Sequence, residues 1–286
     1  MGRLDGKVCI ATGAGNEFGI GFASALKFAA DGAKAVVITC RPGADKLKAA
    51  VELAEKIRAQ HPATETLALE AEAASESDTK KVIDEAVKRW GRLDVLFANA
   101  GWGGTNLDRT PITDISEEDF MYTLRTNVLH PFFCIKHGCP AMQALGGSKS
   151  APGGSIVING STAGVPLLAG RISADYVASK AAANSLAETA SYQLASYRVR
   201  INTLAPGYIQ TSMTSGNVDA IQFTSKAPGV GRTGHPEEMA NVVAFLASDE
   251  ASYVNGATWV ANGGVDSALA MYIKQTPDLP PRHRLE

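Results

Sequence analysis

The sequence predicts an α/β protein in which a doubly wound, seven-stranded parallel sheet carries helices on both faces. Two observations lead to this fold class. Short apolar runs rich in β-branched residues alternate with longer amphipathic stretches along nearly the whole chain, as strands and helices do in repeated βα units. The apolar runs contain few polar residues, which is typical of parallel strands that are buried on both faces.

The predicted elements follow one another without an internal repeat. Strands are predicted at residues 8–12, 35–39, 66–69, 95–98, 155–159, 199–204 and 258–260, and helices at 19–30, 43–60, 76–90, 116–138, 175–197 and 236–247. Ser116 and Pro236 support two helix starts, because acidic residues follow each of them where a helix N-terminus favours negative charge. The Gly- and Ser-rich stretch 146–154 is interpreted as a surface loop. We therefore expect one catalytic domain over residues 1–264 and a C-terminal tail over 265–286.

The composition excludes several classes of protein. Of the 286 residues, 45% are hydrophobic and 20% are charged, and 27 Lys and Arg face 29 Asp and Glu for a formal net charge of -2. This balance provides a core and gives no broad positive field for nucleic acid or an anionic membrane. The four cysteines form no CxxC motif and the chain opens without an apolar signal segment, so we expect a cytoplasmic protein.

A glycine-rich segment, TGAGNEFGIG, follows the first predicted strand and opens the first predicted helix. Gly13, Gly15 and Gly19 allow a tight turn and a close approach of the backbone to a diphosphate. The helix that begins near Ile20 offers its positive end to that charge. A glycine turn without a ligand is the alternative, but the position at the first βα junction favours a Rossmann fold that binds a dinucleotide.

The end of the second predicted strand bears on the choice of dinucleotide. A fold that prefers NAD normally carries an acidic residue there against the ribose 2′-hydroxyl, whereas this chain has Cys40 and Arg41. Arg41 provides a charged, bidentate donor suited to a 2′-phosphate. Glu17 is a competing signal, because its carboxylate would repel that phosphate. The sequence favours NADP(H), with NADPH as the reductant, and keeps NAD as the alternative.

Tyr176 and Lys180 are four residues apart in a strongly helical stretch, which places both side chains on one helix face. An ammonium near a phenol stabilises the phenolate and lowers its pKa from about 10. A tyrosine of this kind can exchange a proton with a substrate near neutral pH.

Several motifs occur in a characteristic order. They are the glycine segment, Asn99-Ala100-Gly101 after the fourth predicted strand, Asn127 in the next helix, Ser161 after the fifth strand, Tyr176 with Lys180, and Pro206-Gly207 after the sixth strand. Together they resemble the short-chain dehydrogenase/reductase family, and most closely its branch of 3-oxoacyl-carrier-protein reductases and ketoreductases. The resemblance covers about residues 4–266 and implies an oxidoreductase that acts on CH-OH donors with NAD(P)+ as acceptor.

The resemblance implies a catalytic tetrad. Tyr176 would be the general acid in ketone reduction and the base in alcohol oxidation, and Lys180 would hold the nicotinamide ribose. Ser161 would bond the substrate oxygen where negative charge develops. Asn127 would fix a water that links Lys180 to solvent.

The resemblance also implies cofactor contacts beyond the tetrad and the glycine segment. On the adenosine side and along the fourth strand they are Glu72, Asn99, Ala100 and Gly101, and beside the nicotinamide they are Pro206, Gly207, Ile209 and Thr211. Glu72 stands where the family usually has aspartate. The glycine segment is two residues longer than usual between Gly13 and Gly19, so its individual contacts stay open.

A cluster of possible zinc ligands is the competing interpretation of one helix. His130, Cys134, His137 and Cys139 recur there at short spacings. Pro131 and two phenylalanines interrupt the cluster and no carboxylate completes it, so we expect no metal site.

The substrate pocket is expected between three segments, residues 102–109, 165–175 and 208–232. Candidate contacts are its large apolar residues Trp102, Leu167, Tyr208, Met213 and Phe223. They favour a bulky apolar ketone or alcohol of lipid, polyketide or secondary metabolism. Apolar loop residues also pack on their own scaffold, so packing is the alternative role for these side chains.

Two other functions remain open at this point. The same pocket also suits non-redox isomerisation, dehydration or cyclisation, and the fold also suits a dinucleotide-binding regulator without turnover. The resemblance implies a homotetramer paired through the helices at 116–138 and 175–197, with a dimer as the alternative. Small residues along the second helix allow such close packing.

Overall fold

The computed structural model describes residues 2–104, 110–165, 172–215 and 229–265. Its strands are β1 (Val8–Ala11), β2 (Ala35–Cys40), β3 (Glu65–Glu70), β4 (Val95–Ala98), β5 (Gly154–Asn159), β6 (Val199–Pro206) and β7 (Thr258–Ala261). They form one sheet in the order β3-β2-β1-β4-β5-β6-β7, and every neighbouring pair is parallel. The predicted seven-stranded parallel sheet is confirmed.

Helices cover both faces of this sheet. They are α1 (Ile20–Ala30), α2 (Ala44–Gln60), α3 (Glu76–Trp90), α4 (Glu117–Leu124), α5 (His130–Ala141), α6 (Ala174–Gln193) and α7 (Pro236–Ala247). Buried side chains of α1, α2 and α7 pack on one face, and those of α3, α5 and α6 pack on the other. Because side chains alternate along a strand, Val36 belongs to the first layer and its neighbour Val37 to the second. No helix within the described ranges is long and apolar enough to cross a membrane.

The helix predicted over 116–138 is divided into three consecutive parts. Ser116 caps α4 as its position predicts, because its hydroxyl accepts a hydrogen bond from the backbone N–H of Asp119 at 3.1 Å. A π-helical turn, Arg125–Leu129, joins α4 to α5. Pro131 has no N–H, so the carbonyl of Asn127 four residues earlier cannot form its ordinary α-helical bond. The wider turn at this place brings Asn127 into the site described below.

Most strands differ from the prediction by one residue at one end, and β3 and β6 are each two residues longer than predicted. β3 includes Glu65 and Glu70, whose exposed side chains at the edge of the sheet do not show in an apolar pattern. β6 extends to Pro206, since a proline can end a strand where its missing N–H is not needed.

The predicted loop at 146–154 lies against the N-terminal edge of the sheet. Asp94 accepts two hydrogen bonds from the guanidinium of Arg92, at 2.7 and 2.9 Å. The ammonium of Lys149 lies 3.6 Å from the same carboxylate and donates to the carbonyls of Leu93 and Met142, both at 2.7 Å. These three charged side chains are almost fully buried, and they fix the loop to the fold.

Candidate active site

A cleft of about 440 Å³ opens where the chain crosses from one half of the sheet to the other, beside β1 and β4. Ligands of open α/β sheets bind at such a switch point, outside the carboxyl ends of the strands. Thr12, Gly13, Arg41, Glu72 and Ala100 are among its lining residues. The structure therefore brings together predicted cofactor contacts from four separate parts of the sequence.

The glycine loop fits a bound diphosphate. Gly13 adopts φ +61°, and a Cβ at this position would lie only 2.7 Å from the Cα of Ala100. Any larger residue would therefore fill the cradle and strain the backbone. The N–H of Gly13 donates to the hydroxyl of Thr39 at 3.1 Å. Helix α1 begins at Ile20 behind Gly19, whose cap position has no side-chain hydrogen bond, so the helix N-terminus is suited to an anion.

Two side chains between Gly13 and Gly19 are directed towards other parts of the protein. The carboxamide of Asn16 donates to the hydroxyl of Ser212 at 3.0 Å, which joins the loop to the segment after β6. Glu17 forms an ion pair with Lys56 on α2. Gly15 lies close to Cys40, since a Cβ on Gly15 would be 2.7 Å from the Cβ of Cys40.

Arg41 lies exposed just beyond β2, and Glu72 lies two residues beyond β3. Both line the cleft. The backbone N–H of Glu72 donates to the carboxylate of Asp78 at 2.9 Å, and a Glu72 oxygen accepts from the N–H of Ala74 at 3.4 Å. Glu72 is therefore placed by its own turn beside the expected adenosine end of the site.

The hydroxyl of Thr12 organises the floor of the cleft. It accepts from the backbone N–H groups of Asn99 and Ala100, at 2.9 and 3.1 Å, which occupies both of its lone pairs. The same hydroxyl donates to the carbonyl of Phe97 at 3.1 Å, and His130 Nε2 lies 2.8 Å from its oxygen. Burial lowers the pKa of His130 to about 4, so the imidazole is neutral. The sequence did not predict this role for His130.

The possible zinc ligands have separate partners. His130 bonds Thr12 and lies 3.6 Å from the sulfur of Cys134, while His137 bonds Glu76 at 2.8 Å. Burial raises the pKa of Cys139 to about 12. Within the described ranges, no group of three or more His, Cys, Asp or Glu side chains is arranged to hold a metal ion.

Asn127, in the π-helical turn, is nearly fully buried. Its Oδ1 accepts from the backbone N–H of Trp102 at 2.7 Å, and its Nδ2 donates to the Trp102 carbonyl at 2.8 Å and to the hydroxyl of Ser179 at 2.9 Å. A Cβ on Gly101 would lie 3.2 Å from this Oδ1 and 3.5 Å from Lys180 Nζ. Asn127 and Lys180 are therefore close neighbours, with the Gly101 backbone between them.

Ser161, Tyr176 and Lys180 meet at the carboxyl end of β5. The Ser161 hydroxyl accepts from the N–H of Ala163 at 3.1 Å and also bonds the phenol of Tyr176. Lys180 Nζ lies 5.7 Å from the centre of the Tyr176 ring and donates to the main-chain carbonyl of Asn159 at 2.8 Å. The structure thus brings three predicted catalytic residues together.

The pKa of Tyr176 differs from the sequence expectation. Burial raises it, and the hydrogen bond with Ser161 offsets part of that increase. The decrease expected from Lys180 is not found, since burial is the largest influence on this pKa. Burial also lowers the pKa of Lys180 to about 8.

A buried carboxylate that sequence reasoning missed precedes the tyrosine. Asp175 accepts hydrogen bonds from Thr123 on α4, at 2.6 Å, and from Ser173 at the start of α6. These bonds fix the first turn of α6 against α4. The only sequence signal is an acidic residue in a first helical turn, which ordinarily indicates an exposed position.

The segment after β6 holds the remaining predicted contacts. Ile209 is 4% exposed and packs in the core beside α1 and α7, so its side chain does not face the cleft. The N–H of Thr211 donates to the hydroxyl of Thr214 at 3.1 Å. Tyr208 is partly buried and Met213 is exposed.

Trp102 packs edge-on against Tyr122 of α4, with ring centres 5.7 Å apart. Leu167 and Phe223, the other two candidate substrate contacts, lie outside the described residues.

Comparison with known proteins gives matches over nearly the whole chain. A family model described as enoyl-(acyl carrier protein) reductase matches residues 13–266. Among similar proteins, a glucose and ribitol dehydrogenase homolog of Oryza sativa subsp. japonica is 36% identical over 273 residues, which are 92% of this chain and 87% of that protein. A 3-oxoacyl-[acyl-carrier-protein] reductase of Thermotoga maritima is 34% identical over 265 residues, covering 92% of this chain and 99% of the other.

Solved structures lead to the same family as these sequence matches. A short-chain type dehydrogenase/reductase from Mycobacterium marinum superposes with a TM-score of 0.80 at 27% identity, covering 92% of this chain and 96% of that one. The fold, the assembled Ser161, Tyr176 and Lys180, and these matches lead to one conclusion: the chain belongs to the short-chain dehydrogenase/reductase family of oxidoreductases.

Proposed function

We propose that this protein is an NADP(H)-dependent oxidoreductase that transfers a hydride between the nicotinamide and a ketone or secondary alcohol. The observation that carries the proposal is the group formed by Ser161, Tyr176 and Lys180 beside the glycine-loop cleft. A dinucleotide-binding regulator has no need for a buried lysine that lies next to a tyrosine and has no carboxylate partner among the described residues.

The residues have distinct tasks in this chemistry. When bound, the cofactor supplies or accepts the hydride. Tyr176 donates its phenolic proton to the carbonyl oxygen during reduction, and accepts a proton in the reverse direction. Ser161 donates a hydrogen bond to the same oxygen as negative charge develops on it. Lys180, whose ammonium lies 5.7 Å from the centre of the Tyr176 ring, holds the ribose next to the nicotinamide.

The preference for NADP(H) rests on two side chains. Arg41 is exposed at the rim of the cleft, where its guanidinium can bond a 2′-phosphate. Glu17, the competing signal, is paired with Lys56 on α2, which reduces its repulsion of a phosphate. NAD is the alternative cofactor.

We expect Arg41→Ala to weaken NADPH about 10- to 100-fold and to change NADH little, because the charge-assisted hydrogen bonds it loses concern only the 2′-phosphate. Fluorescence titration of both cofactors measures this. If the unchanged protein binds NADH as tightly as NADPH, or if Arg41→Ala leaves the ratio of the two affinities unchanged, the proposed NADP(H) preference is wrong.

The proposed substrate is a bulky apolar ketone or alcohol of lipid, polyketide or secondary metabolism. Trp102 and Tyr122 form an aromatic pair beside the site, and Met213 is exposed near it. The names of similar proteins also support ketones and alcohols as the class of substrate. They include a cyclohexanol dehydrogenase of Acinetobacter and a γ-butyrolactone 1′-reductase of Streptomyces virginiae.

A panel of apolar ketones incubated with NADPH tests the reaction at the nicotinamide absorbance band. We expect one NADPH oxidised per ketone reduced, and a decrease in turnover of about 10²- to 10⁴-fold in Tyr176→Phe, which removes only the proton-transferring hydroxyl. The variant should bind NADPH normally. Product formed without cofactor oxidation would instead indicate isomerisation, dehydration or cyclisation.

We also propose a homotetramer, with a dimer as the alternative, that pairs through α4, α5 and α6. Phe132 on α5 and Tyr192 on α6 are exposed, at 40% and 88%, on these helices. A monomer in light scattering at micromolar concentration would exclude both assemblies. The four cysteines are buried free thiols, which supports the proposed cytoplasmic location.

A further inference from the structure

A chain of amide groups connects Lys180 with the glycine loop. The Lys180 ammonium donates to the main-chain carbonyl of Asn159 at 2.8 Å. The Asn159 carboxamide donates from Nδ2 to Oδ1 of Asn99 at 2.9 Å. Asn99 in turn donates from Nδ2 to the carbonyls of Thr12 and Gly13, at 2.8 and 3.2 Å. Asn159 is thus the central link between β5 and the loop after β1.

The orientation of both carboxamides follows from their partners. The carbonyls of Thr12 and Gly13 only accept, so Asn99 must present its NH₂ group to them. The Asn99 oxygen then faces Asn159, which can satisfy it only with its own NH₂ group. The oxygen of Asn159 is the atom left over. It is buried and has no hydrogen-bond partner among the described residues.

The buried carboxamide of Asn159 does not stabilise the apolar core around it. Side chains alternate along β5, so Asn159 points to the same face as Val157, which packs in the core with Phe97. A leucine of similar size would join that apolar layer without an unpaired oxygen, whose burial costs free energy. Asn159 is therefore better explained by what its NH₂ group holds than by packing.

We propose that Asn159 is a positioning residue of the cofactor site. It keeps Lys180, which holds the nicotinamide-side ribose, at a fixed distance from the glycine loop, which holds the diphosphate. The two contact points are then aligned before the cofactor arrives, which reduces the ordering cost of binding. This inference rests on the proposed function, since it concerns how that cofactor is held.

The matched comparison is Asn159→Leu against Asn202→Leu. Asn202 is a fully buried carboxamide on the neighbouring strand β6, and it bonds the carbonyl of Val254 at 2.8 Å and the N–H of Ala257 at 3.0 Å. Both partners lie in the segment before β7, away from the glycine loop. Each variant loses a buried carboxamide, but only the first breaks the bond to Asn99 that connects the strand end at Lys180 with the glycine loop.

Isothermal calorimetry with two ligands distinguishes a loss of alignment between the two cofactor contact points from a general loss of structure. NADPH uses both ends of the site, whereas adenosine 2′,5′-bisphosphate has no nicotinamide half. We expect Asn159→Leu to weaken NADPH about 2- to 10-fold, as the loss of one neutral hydrogen bond does, and to change the bisphosphate less than about 2-fold. Asn202→Leu should lower the thermal midpoint and leave both affinities unchanged.

Asn159→Asp provides a second variant that keeps the side-chain shape. It loses the same donor to Asn99 and adds a negative charge to the residue whose main-chain carbonyl binds Lys180, so the pKa of that lysine should rise. We expect this variant to bind NADPH more weakly than the unchanged protein. The decrease in NADPH affinity that follows deprotonation of Lys180 should occur at higher pH. If Asn159 had a purely structural role, the pH at which NADPH affinity falls would not change.

Equal losses for both ligands, or a pattern identical to that of Asn202→Leu, would overturn the inference. If the unchanged protein binds neither NADPH nor NADH, the proposed function itself fails, and the inference fails with it.

Discussion

Two buried lysines lie at opposite edges of the same sheet and have opposite surroundings. At the N-terminal edge, Lys149 is near the carboxylate of Asp94, which Arg92 also pairs. At the C-terminal edge, Lys180 has the neutral carbonyl of Asn159 as its hydrogen-bond partner. Burial lowers the pKa of both ammonium groups, but Asp94 partly reverses that effect for Lys149.

The difference separates a structural cation from a functional one. A buried charge with a carboxylate partner holds a fold together and is costly to break. A buried charge without one keeps its attraction available for a ligand or a transition state. The same fold uses a lysine in each way, one shortly before β5 and the other on the helix that follows it, on opposite edges of the sheet.

Lys180→Met gives the larger expected effect. The variant loses ribose contacts and the charge beside Tyr176, so NADPH affinity should fall about 10-fold to 100-fold and turnover by about 10²-fold or more. The free energy of unfolding should stay the same or rise, because a desolvated cation is removed. Kinetics, cofactor titration and thermal unfolding measure these three quantities, and unchanged NADPH affinity would contradict the role given to Lys180.

Lys149→Met should show the reverse pattern. The carbonyls of Leu93 and Met142 each lose a hydrogen bond from Lys149, so we expect the free energy of unfolding to fall by about 1–3 kcal/mol. Cofactor affinity and turnover should be unchanged below the unfolding temperature. A loss of NADPH affinity in this variant would remove the distinction between the two edges.

The smallest expected effect is a pH dependence that belongs to Lys180. Its folded-state pKa of about 8 lies below its ordinary value of 10.5, so the ammonium that binds the ribose is lost as pH rises through about 8. NADPH affinity should then fall by up to about 10-fold per pH unit. In Lys180→Met, NADPH affinity should not show this decrease with rising pH. Between pH 8 and 10.5 the unfolded state binds more protons, so this group makes the folded state more stable as pH rises.

The sequence predicts the sheet well because buried parallel strands leave a clear pattern. The seven apolar runs correspond to the seven strands, with bounds that differ by up to two residues and the largest differences at β3 and β6. Tyr176 and Lys180 were also accessible from sequence, since a four-residue spacing on a helix is a local geometric property.

Other parts of the site depend on contacts between distant residues. Asn159 and Asn99 are 60 positions apart, and a strand-end asparagine carries no local sign of such a bond. The pairing of Glu17 with Lys56 likewise depends on how α2 packs against the glycine loop. The pKa of Tyr176 was expected to fall because of Lys180, but burial determines it, and burial depends on the complete fold.

Asn127 illustrates how a single residue couples the chemistry to the shape of the substrate entrance. Among the described residues, its carboxamide bonds Trp102 and Ser179, so this side chain holds the peptide that follows Gly101 in place. Truncation of Asn127 therefore releases the Trp102 backbone as well as changing the surroundings of Lys180. We therefore expect Asn127→Ala to lower turnover partly by displacing the substrate entrance. Its substrate selectivity should change together with its turnover.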